Sequence, residues 1–192
     1  MIYAAHGLFW AAFGVTRLIV GLTGPSAAAS APTARRARRA PLSRGMVLLH
    51  VVAFGVMYGG IARAAFAGRV PAGVRGQRFV GALVIVIGGA IVVSALAVFR
   101  SWRFQATVDA GHELATAGPF RYVRHPIYLG LDLLALGSAI WVPTPTLWAA
   151  FALMVLAGDL RARAEEALLT SAFGTTYEAY RARTWRFIPG VY

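Results

Sequence analysis

The chain has 192 residues, 58% of them hydrophobic, and a mean hydropathy of +0.63. That is more apolar surface than the core of one small soluble domain hides, so the composition points to a membrane protein. Nineteen basic residues, every one an arginine, stand against seven acids and give a formal charge of +12, and there is no cysteine, which excludes disulfide scaffolds, thiolate nucleophiles and cysteine metal sites. A basic DNA-binding domain of this size would not also carry several spans of about 20 apolar residues, so the arginines are matched to membrane lipid and no nucleic-acid partner is expected.

The first apolar run, Ile2 to Leu22, is long enough to cross a hydrocarbon core about 30 Å thick, with Arg17 snorkelling near one end. A cleaved signal peptide is the second reading of this run, because no positive region precedes it. From Thr23 to Arg44 follows a linker rich in Ala, Ser, Pro and Arg, holding Arg35, Arg36, Arg38, Arg39 and Arg44 without an acid; it reads as a flexible basic juxtamembrane segment. The second run, about Gly45 to Phe66, and the third, about Phe79 to Phe99, are separated by a short loop around Gly68 to Arg78. A polar stretch with Asp109, His112 and Glu113 then leads to the turn Gly118-Pro119.

The fourth run, Ile127 to Val142, ends at Pro143-Thr144-Pro145, and the fifth, Thr146 to about Leu160, follows at once, so these two helices form an antiparallel hairpin. At 1.5 Å rise per residue the fourth run covers only about 25 Å, short for a crossing. From Leu160 to Phe173 the apolar and small residues share one face, which predicts an amphipathic helix emerging into water. The expected fold is therefore all-α: a polytopic membrane protein with about five transmembrane helices, the last two a hairpin, and a cytoplasmic amphipathic C-terminal helix. With the C-terminus cytoplasmic, fourteen arginines fall inside and Arg63, Arg69, Arg75 and Arg78 outside, which puts the chemical stretches on the cytoplasmic side.

Pro126 fits the first turn of the fourth helix, where its missing N–H would have no partner, so Arg124-His125-Pro126 marks a helix mouth whose N–H groups and partial positive charge suit a carboxylate or phosphate. Positive-inside anchoring and a capping histidine would leave the same residues. Tyr128 is either an aromatic-belt residue or a wall of that mouth, and Gly130 and Gly137, seven apart, either pack helices or let a flat ligand approach. Asp132, about 9 Å inside an apolar span, either has a direct role or pairs with an arginine such as Arg17 or Arg63. Arg161 and Glu165, four apart, form a pair that at a surface stabilises by only about 0.2–0.5 kcal/mol. Together with Glu166, however, they sit at the exit of the fifth span, which the hairpin returns to the mouth of the fourth. His6, His50, His112 and His125 show no ligand spacing, so no metal is expected.

Gly118-Pro119-Phe120-Arg121-Tyr122-Val123-Arg124-His125-Pro126-Ile127-Tyr128-Leu129-Gly130, followed by Arg161, Glu165-Glu166, Leu169, Phe173-Gly174, Tyr177, Tyr180 and Arg186-Phe187-Ile188-Pro189-Gly190, resembles the isoprenylcysteine carboxyl methyltransferase and phospholipid methyltransferase superfamily. The resemblance covers roughly Gly118 to Gly190. It implies an integral membrane methyltransferase using S-adenosylmethionine, with a lipophilic or lipidated acceptor. It also divides the chain into N-terminal spans (residues 1–117, with the linker 23–44) and a catalytic half (118–192). Carried over by residue, it implies that Arg124 and Arg161 are catalytic, orienting the acceptor, and that His125, Tyr128, Leu129, Gly130, Glu165 and Glu166 bind the cofactor. A carboxylate acceptor, already ionised, needs alignment and exclusion of water rather than a base; an amine or hydroxyl would make His125, Glu165 or Asp132 candidate bases. The alternatives are an NADPH-dependent reductase of the sterol reductase type and a non-catalytic lipid-binding membrane protein.

Overall fold

The computed structural model describes residues 2–23, 38–39, 43–67, 75–98, 107–108 and 114–192. Six α-helices dominate: α1 (Ile2–Thr23), α2 (Ser43–Phe66), α3 (Arg75–Val98), α4 (Pro126–Trp141), α5 (Pro145–Phe173) and α6 (Thr175–Ala182). A 3-10 turn, Gly118–Arg121, leads into α4. Two short strands, β1 (Arg38–Arg39) and β2 (Thr107–Val108), pair antiparallel with Arg38 opposite Val108, an addition to the all-α expectation. Most of the basic linker, including Arg35 and Arg36, lies outside the described residues, as do Arg69, Asp109, His112 and Glu113.

Among the described residues three stretches are long and apolar enough to cross a bilayer: Ile2–Leu22, Gly45–Phe66 and Gly76–Val98; α4 is a shorter apolar helix. Helix is the form these runs must take, because a chain in hydrocarbon has no water to satisfy its N–H and C=O groups. α1 packs on α3, α3 along α4, α4 on α5, and α5 on α2. Side chains of α1 then return to α2, where Trp10 meets Phe54 and Tyr58, so the five helices close a ring.

Two glycine pairs set the α3–α4 contact. A Cβ on Gly81 would lie 2.7 Å from the Gly137 carbonyl oxygen, and one on Gly88 would lie 2.7 Å from that of Gly130. Both pairs are seven residues apart on antiparallel helices, so the backbones touch at two rungs where no larger side chain fits. Toward the opposite end from the α4 mouth, a polar chain joins three helices. The Trp10 indole N–H donates to Tyr58 Oη, and the Ser138 hydroxyl donates to the Leu134 carbonyl at 2.6 Å. His6 bridges them, its Nδ1 3.0 Å from Tyr58 Oη and its Nε2 2.9 Å from Ser138 Oγ. Since Ser138 has given its proton away, Nε2 carries the hydrogen and Nδ1 accepts from Tyr58, so each donor in the chain has a matching acceptor.

The α4–α5 hairpin forms as its sequence dictates. Val142 closes α4 through its N–H to Ser138, and Thr144 caps α5, its side chain accepting from the Leu147 N–H at 3.3 Å. The expected break near Leu160 is absent: α5 runs on as one helix to Phe173. Residues 160–169, Leu-Arg-Ala-Arg-Ala-Glu-Glu-Ala-Leu-Leu, are strong helix formers without Gly or Pro, so a change of hydropathy does not stop the helix. The turn comes at Gly174, whose φ of +52° suits glycine, and the separate C-terminal helix is α6, with Tyr177 and Tyr180 buried and the charged residues outside.

Candidate active site

The mouth of α4 is built by its lead-in and by the chain's last residues. Gly118 takes φ +57°, and a Cβ there would lie 2.9 Å from Val98 Cγ2, so glycine fits the turn on both counts. The chain then pairs with the tail: Trp185 N–H donates to Tyr122 O at 3.1 Å, Arg124 N–H to Trp185 O at 2.8 Å and His125 N–H to Arg186 O at 3.2 Å. Tyr180 Oη donates to the Phe120 carbonyl at 2.8 Å.

This pairing delivers Arg124, His125 and Arg186 to the acids of α5. Glu166 accepts from Arg124 Nε at 2.9 Å and from Arg186 at 3.0 and 2.8 Å, with His125 Nε2 at 3.3 Å. The double contact from Arg186 is the fork geometry in which a guanidinium binds a carboxylate most strongly. Arg124 also donates to the carbonyls of Arg181 and Thr184. Glu165 faces the other way, accepting from Arg161 Nε at 3.3 Å and from the Tyr128 hydroxyl, with His125 Nδ1 at 3.6 Å. The Tyr128 ring is the centre: His125 stacks on it at 5.7 Å, Arg161 Cζ lies 5.3 Å from its centroid, and His50 of α2 tilts against it at 5.8 Å. A satellite cluster joins Asp159 to Arg163 at 2.7 Å, to Tyr192 Oη at 2.8 Å and to Arg186 at 3.4 Å.

The charges respond as this geometry requires. Burial opposes a charge on His125, but hydrogen bonds to Glu165 and Glu166 and their negative charge outweigh it, so its pKa lies above the ordinary value. Burial raises the Glu166 carboxyl, yet hydrogen bonds from His125, Arg186 and Arg124 prevail and hold it well below the carboxylate range. Glu165 is lowered in the same way, against burial, by His125 first and Arg161 after. Burial pushes Tyr180 up to about 12.

Beside this network lies a mostly apolar cavity, partly open to solvent. Its polar lining is Arg124, His125, Tyr128, Glu165, Tyr177 and Tyr180; its apolar lining includes Leu114, Phe120, Ile127 and Leu169. Among the described residues the buried Tyr177 hydroxyl has no hydrogen-bond partner. The side chain of His125, at the N-cap of α4, makes no capping hydrogen bond, and the first-turn residues Ile127 and Tyr128 line the cavity. These features fit S-adenosylmethionine: an uncapped helix start for its carboxylate, Glu165 for its ammonium or ribose hydroxyls, a hydroxyl donor, and apolar and aromatic walls for its adenine.

The structure thus brings Arg124, His125, Tyr128, Arg161, Glu165 and Glu166 together, with Arg161 and Glu166 in the supporting network rather than on the cavity wall. The Arg161–Glu165 pair is no exposed surface pair, since the arginine side chain is only 7% exposed. Leu129 packs against the buried cluster of Tyr128, Ala162 and Phe187. Gly130 lies against α3, where an added Cβ would meet Val92 Cγ2 at 2.3 Å, so it serves helix packing and does not line the cavity. His125 differs from expectation as well: both ring nitrogens face carboxylates, so it is placed to order Glu165 and Glu166 rather than to receive an anion. Asp132 lies against Gly158 of α5, its Oδ1 without a partner, while Arg63 donates to Thr146 instead. Arg186, Tyr177 and His50 carried no assigned role in the sequence. Their signals were present, the first two within the C-terminal motif and His50 as an ionisable residue inside an apolar run.

A multi-pass membrane protein with a charged, aromatic-lined cavity at the ends of a helical hairpin is the class these features define. The chain belongs to the phospholipid methyltransferase family, whose model matches residues 77–176. It is 38% identical over 79 residues to protein-S-isoprenylcysteine O-methyltransferase of Schizosaccharomyces pombe, covering 41% of this chain and 34% of that one. It is 31% identical over 117 residues to the probable protein-S-isoprenylcysteine O-methyltransferase of Oryza sativa subsp. indica, covering 58% and 60%. The solved structure of a eukaryotic intramembrane Ras methyltransferase, isoprenylcysteine carboxyl methyltransferase, superposes with a TM-score of 0.68 at 19% identity, covering 99% of this chain and 65% of that one; at this identity the likeness shows the fold. The chain therefore spans between about a third and two thirds of the length of these proteins. Family membership sets the reductase reading aside.

Proposed function

We propose that this protein is an S-adenosylmethionine-dependent methyltransferase that esterifies the carboxylate of an isoprenylcysteine-like, lipophilic acceptor at the cytoplasmic face of the membrane. The observation that carries the reading is the cavity itself, where an uncapped helix start, a buried unpartnered tyrosine hydroxyl and a glutamate meet beside apolar walls. The relatives' names supply the acceptor class. The five apolar runs support five crossings and the arginine distribution then a cytoplasmic site, and residues 118–192 act as the catalytic half on a scaffold of residues 1–117.

When bound, S-adenosylmethionine supplies an electrophilic methyl group on a sulfonium, open to in-line attack. The Ile127 and Tyr128 N–H groups hold its carboxylate, and Glu165 and the Tyr177 hydroxyl bind its polar edges. The aromatic ring of Tyr180 would tolerate its positive charge. His125 and Arg186 keep Glu165 and Glu166 ionised and in place. Arg161, over the Tyr128 ring, orients the acceptor carboxylate, which is ionised at neutral pH and needs no base. α6 and the tail cover the site and keep out water, which would otherwise compete as an acceptor and weaken each electrostatic contact.

Calorimetric titration of the detergent-purified protein with S-adenosylhomocysteine, alongside transfer of a labelled methyl group to an N-acylated S-prenylcysteine, tests this. Saturable binding and transfer are expected, with Arg161→Ala folded, able to bind S-adenosylhomocysteine, and reduced at least about a hundredfold in turnover. Absence of binding by the wild-type protein would sink the proposal.

A further inference from the structure

His50 is a buried ionisable residue that the scheme above does not use. It lies on α2, a helix outside the hairpin that carries the two motifs, and is 7% exposed. Its Nδ1 is 3.2 Å from the Met46 carbonyl oxygen, which can only accept, so Nδ1 carries the hydrogen. In the neutral ring Nε2 is then a lone-pair acceptor, and this atom is buried with no hydrogen-bond partner among the described residues. A buried acceptor left unmatched within a membrane-embedded helix is destabilising unless something donates to it.

The position of the ring says what could donate. His50 sits 5.8 Å from the Tyr128 ring, which also forms part of the cavity wall, yet His50 does not line that cavity. Arg161 and Glu165 are within electrostatic range of it. His50 therefore belongs to the acceptor's side of Tyr128, next to the arginine proposed to hold the acceptor carboxylate.

We propose that His50 is a substrate-binding residue whose Nε2 accepts a hydrogen bond from the methyl acceptor. The inference rests on the methyltransferase reading and deepens it. An ionised carboxylate has no proton to donate, so the donor must be another group of the same molecule. In a carboxyl-terminal residue joined by a peptide bond, the residue's own amide N–H is one carbon from the carboxyl group. The acceptor is thus an amide-linked, lipid-bearing carboxylate, and His50 reads its N–H.

The test compares two acceptors, an N-acylated S-prenylcysteine and its isostere in which an ester oxygen replaces the amide N–H, on wild type, His50→Ala and His50→Gln. Wild type should favour the amide about tenfold in kcat/KM, mostly through KM. His50→Ala should treat the two alike, while His50→Gln, which keeps an acceptor oxygen, should restore part of the preference, and S-adenosylhomocysteine affinity should stay unchanged in both. Equal use of the two acceptors by wild type overturns the proposal even if no variant folds. A preference that survives in a folded His50→Ala overturns it too, as does loss of S-adenosylhomocysteine binding, which would place His50 on the cofactor. Transfer to neither acceptor refutes instead the methyltransferase reading on which the proposal stands.

Discussion

Gly130→Ala separates a packing role from a cofactor role at one position. The added Cβ would lie 2.3 Å from Val92 Cγ2 and 2.7 Å from the Gly88 carbonyl oxygen. Carbon atoms in contact sit roughly 3.5 Å apart at closest, so about 1 Å must be found. The valine methyl can rotate away, but the Gly88 oxygen is backbone in the middle of α3, and relief there means pushing α3 from α4 along their shared face. Overpacking of this kind costs about 1–3 kcal/mol, a drop in Tm of a few degrees and up to about ten. Thermal unfolding in detergent, followed by tryptophan fluorescence, reads the loss. Val92→Ala in the same chain should recover part of it by removing the flexible half of the clash, whereas Gly158→Ala, whose Cβ would meet only ordinary contacts at 3.5–3.7 Å, should leave Tm within about a degree. The result that refutes the reasoning is a Gly130→Ala protein with wild-type Tm and lost S-adenosylhomocysteine binding, for then the glycine would be making room for ligand and not for a helix.

Removing Arg186 as Arg186→Ala strips Glu166 of its two-pronged partner but leaves Arg124 and His125, so stability should fall by about 2–3 kcal/mol, and Arg186→Lys should recover only part of this because an ammonium lacks the fork. Denaturation at neutral pH checks both. The acid and alkaline limits should have different owners. Glu166 sits below its unfolded value of 4.5, so its stabilisation is complete above that pH and is lost as pH falls toward the native value. His125 sits above its unfolded value of 6.5, so its stabilisation is complete below that pH and is lost as pH rises through the native value. Melting wild type against Glu166→Gln and His125→Gln across pH should show the first difference shrinking in acid and the second in alkali; differences that stay flat contradict the ion network. His6→Ala cuts both ends of the α1 chain, and at about 0.6 kcal/mol per intramembrane hydrogen bond, up to about 1.7, it should lower stability by about 1–3 kcal/mol without changing S-adenosylhomocysteine affinity.

The spans and the hairpin were legible because hydropathy is additive along the chain: each run is long enough to register whatever it packs against. The convergence of Arg124 with Glu166 was legible for a different reason, since Pro143-Thr144-Pro145 leaves too little chain for α5 to go anywhere but back. What hydropathy does not carry is the identity of a neighbour. Gly130 and Gly137 could be seen to repeat, but their partners Gly88 and Gly81 are defined only once α3 lies antiparallel against α4. The His6–Tyr58–Ser138 chain joins positions 52 and 132 residues apart through single side chains, with no local pattern to announce it. The continuation of α5 past Leu160 was masked by a correct observation, the change from apolar to charged composition, which does not mark where a helix ends. His50 was set aside with the other histidines because metal spacing was asked of it, when its signal was burial in an apolar run.

The pairing of Tyr122, Arg124 and His125 with Trp185 and Arg186 has a consequence for how the molecule is made. Translation produces α1 to α5 before residues 185 and 186, which complete the α4 mouth, have been synthesised. A chain halted after α5 would be an inserted bundle with half a site, its Glu166 waiting for an arginine that has yet to arrive. The α4 mouth is thus completed only after residues 185 and 186 have left the ribosome, so the site is assembled later than the bundle that carries it.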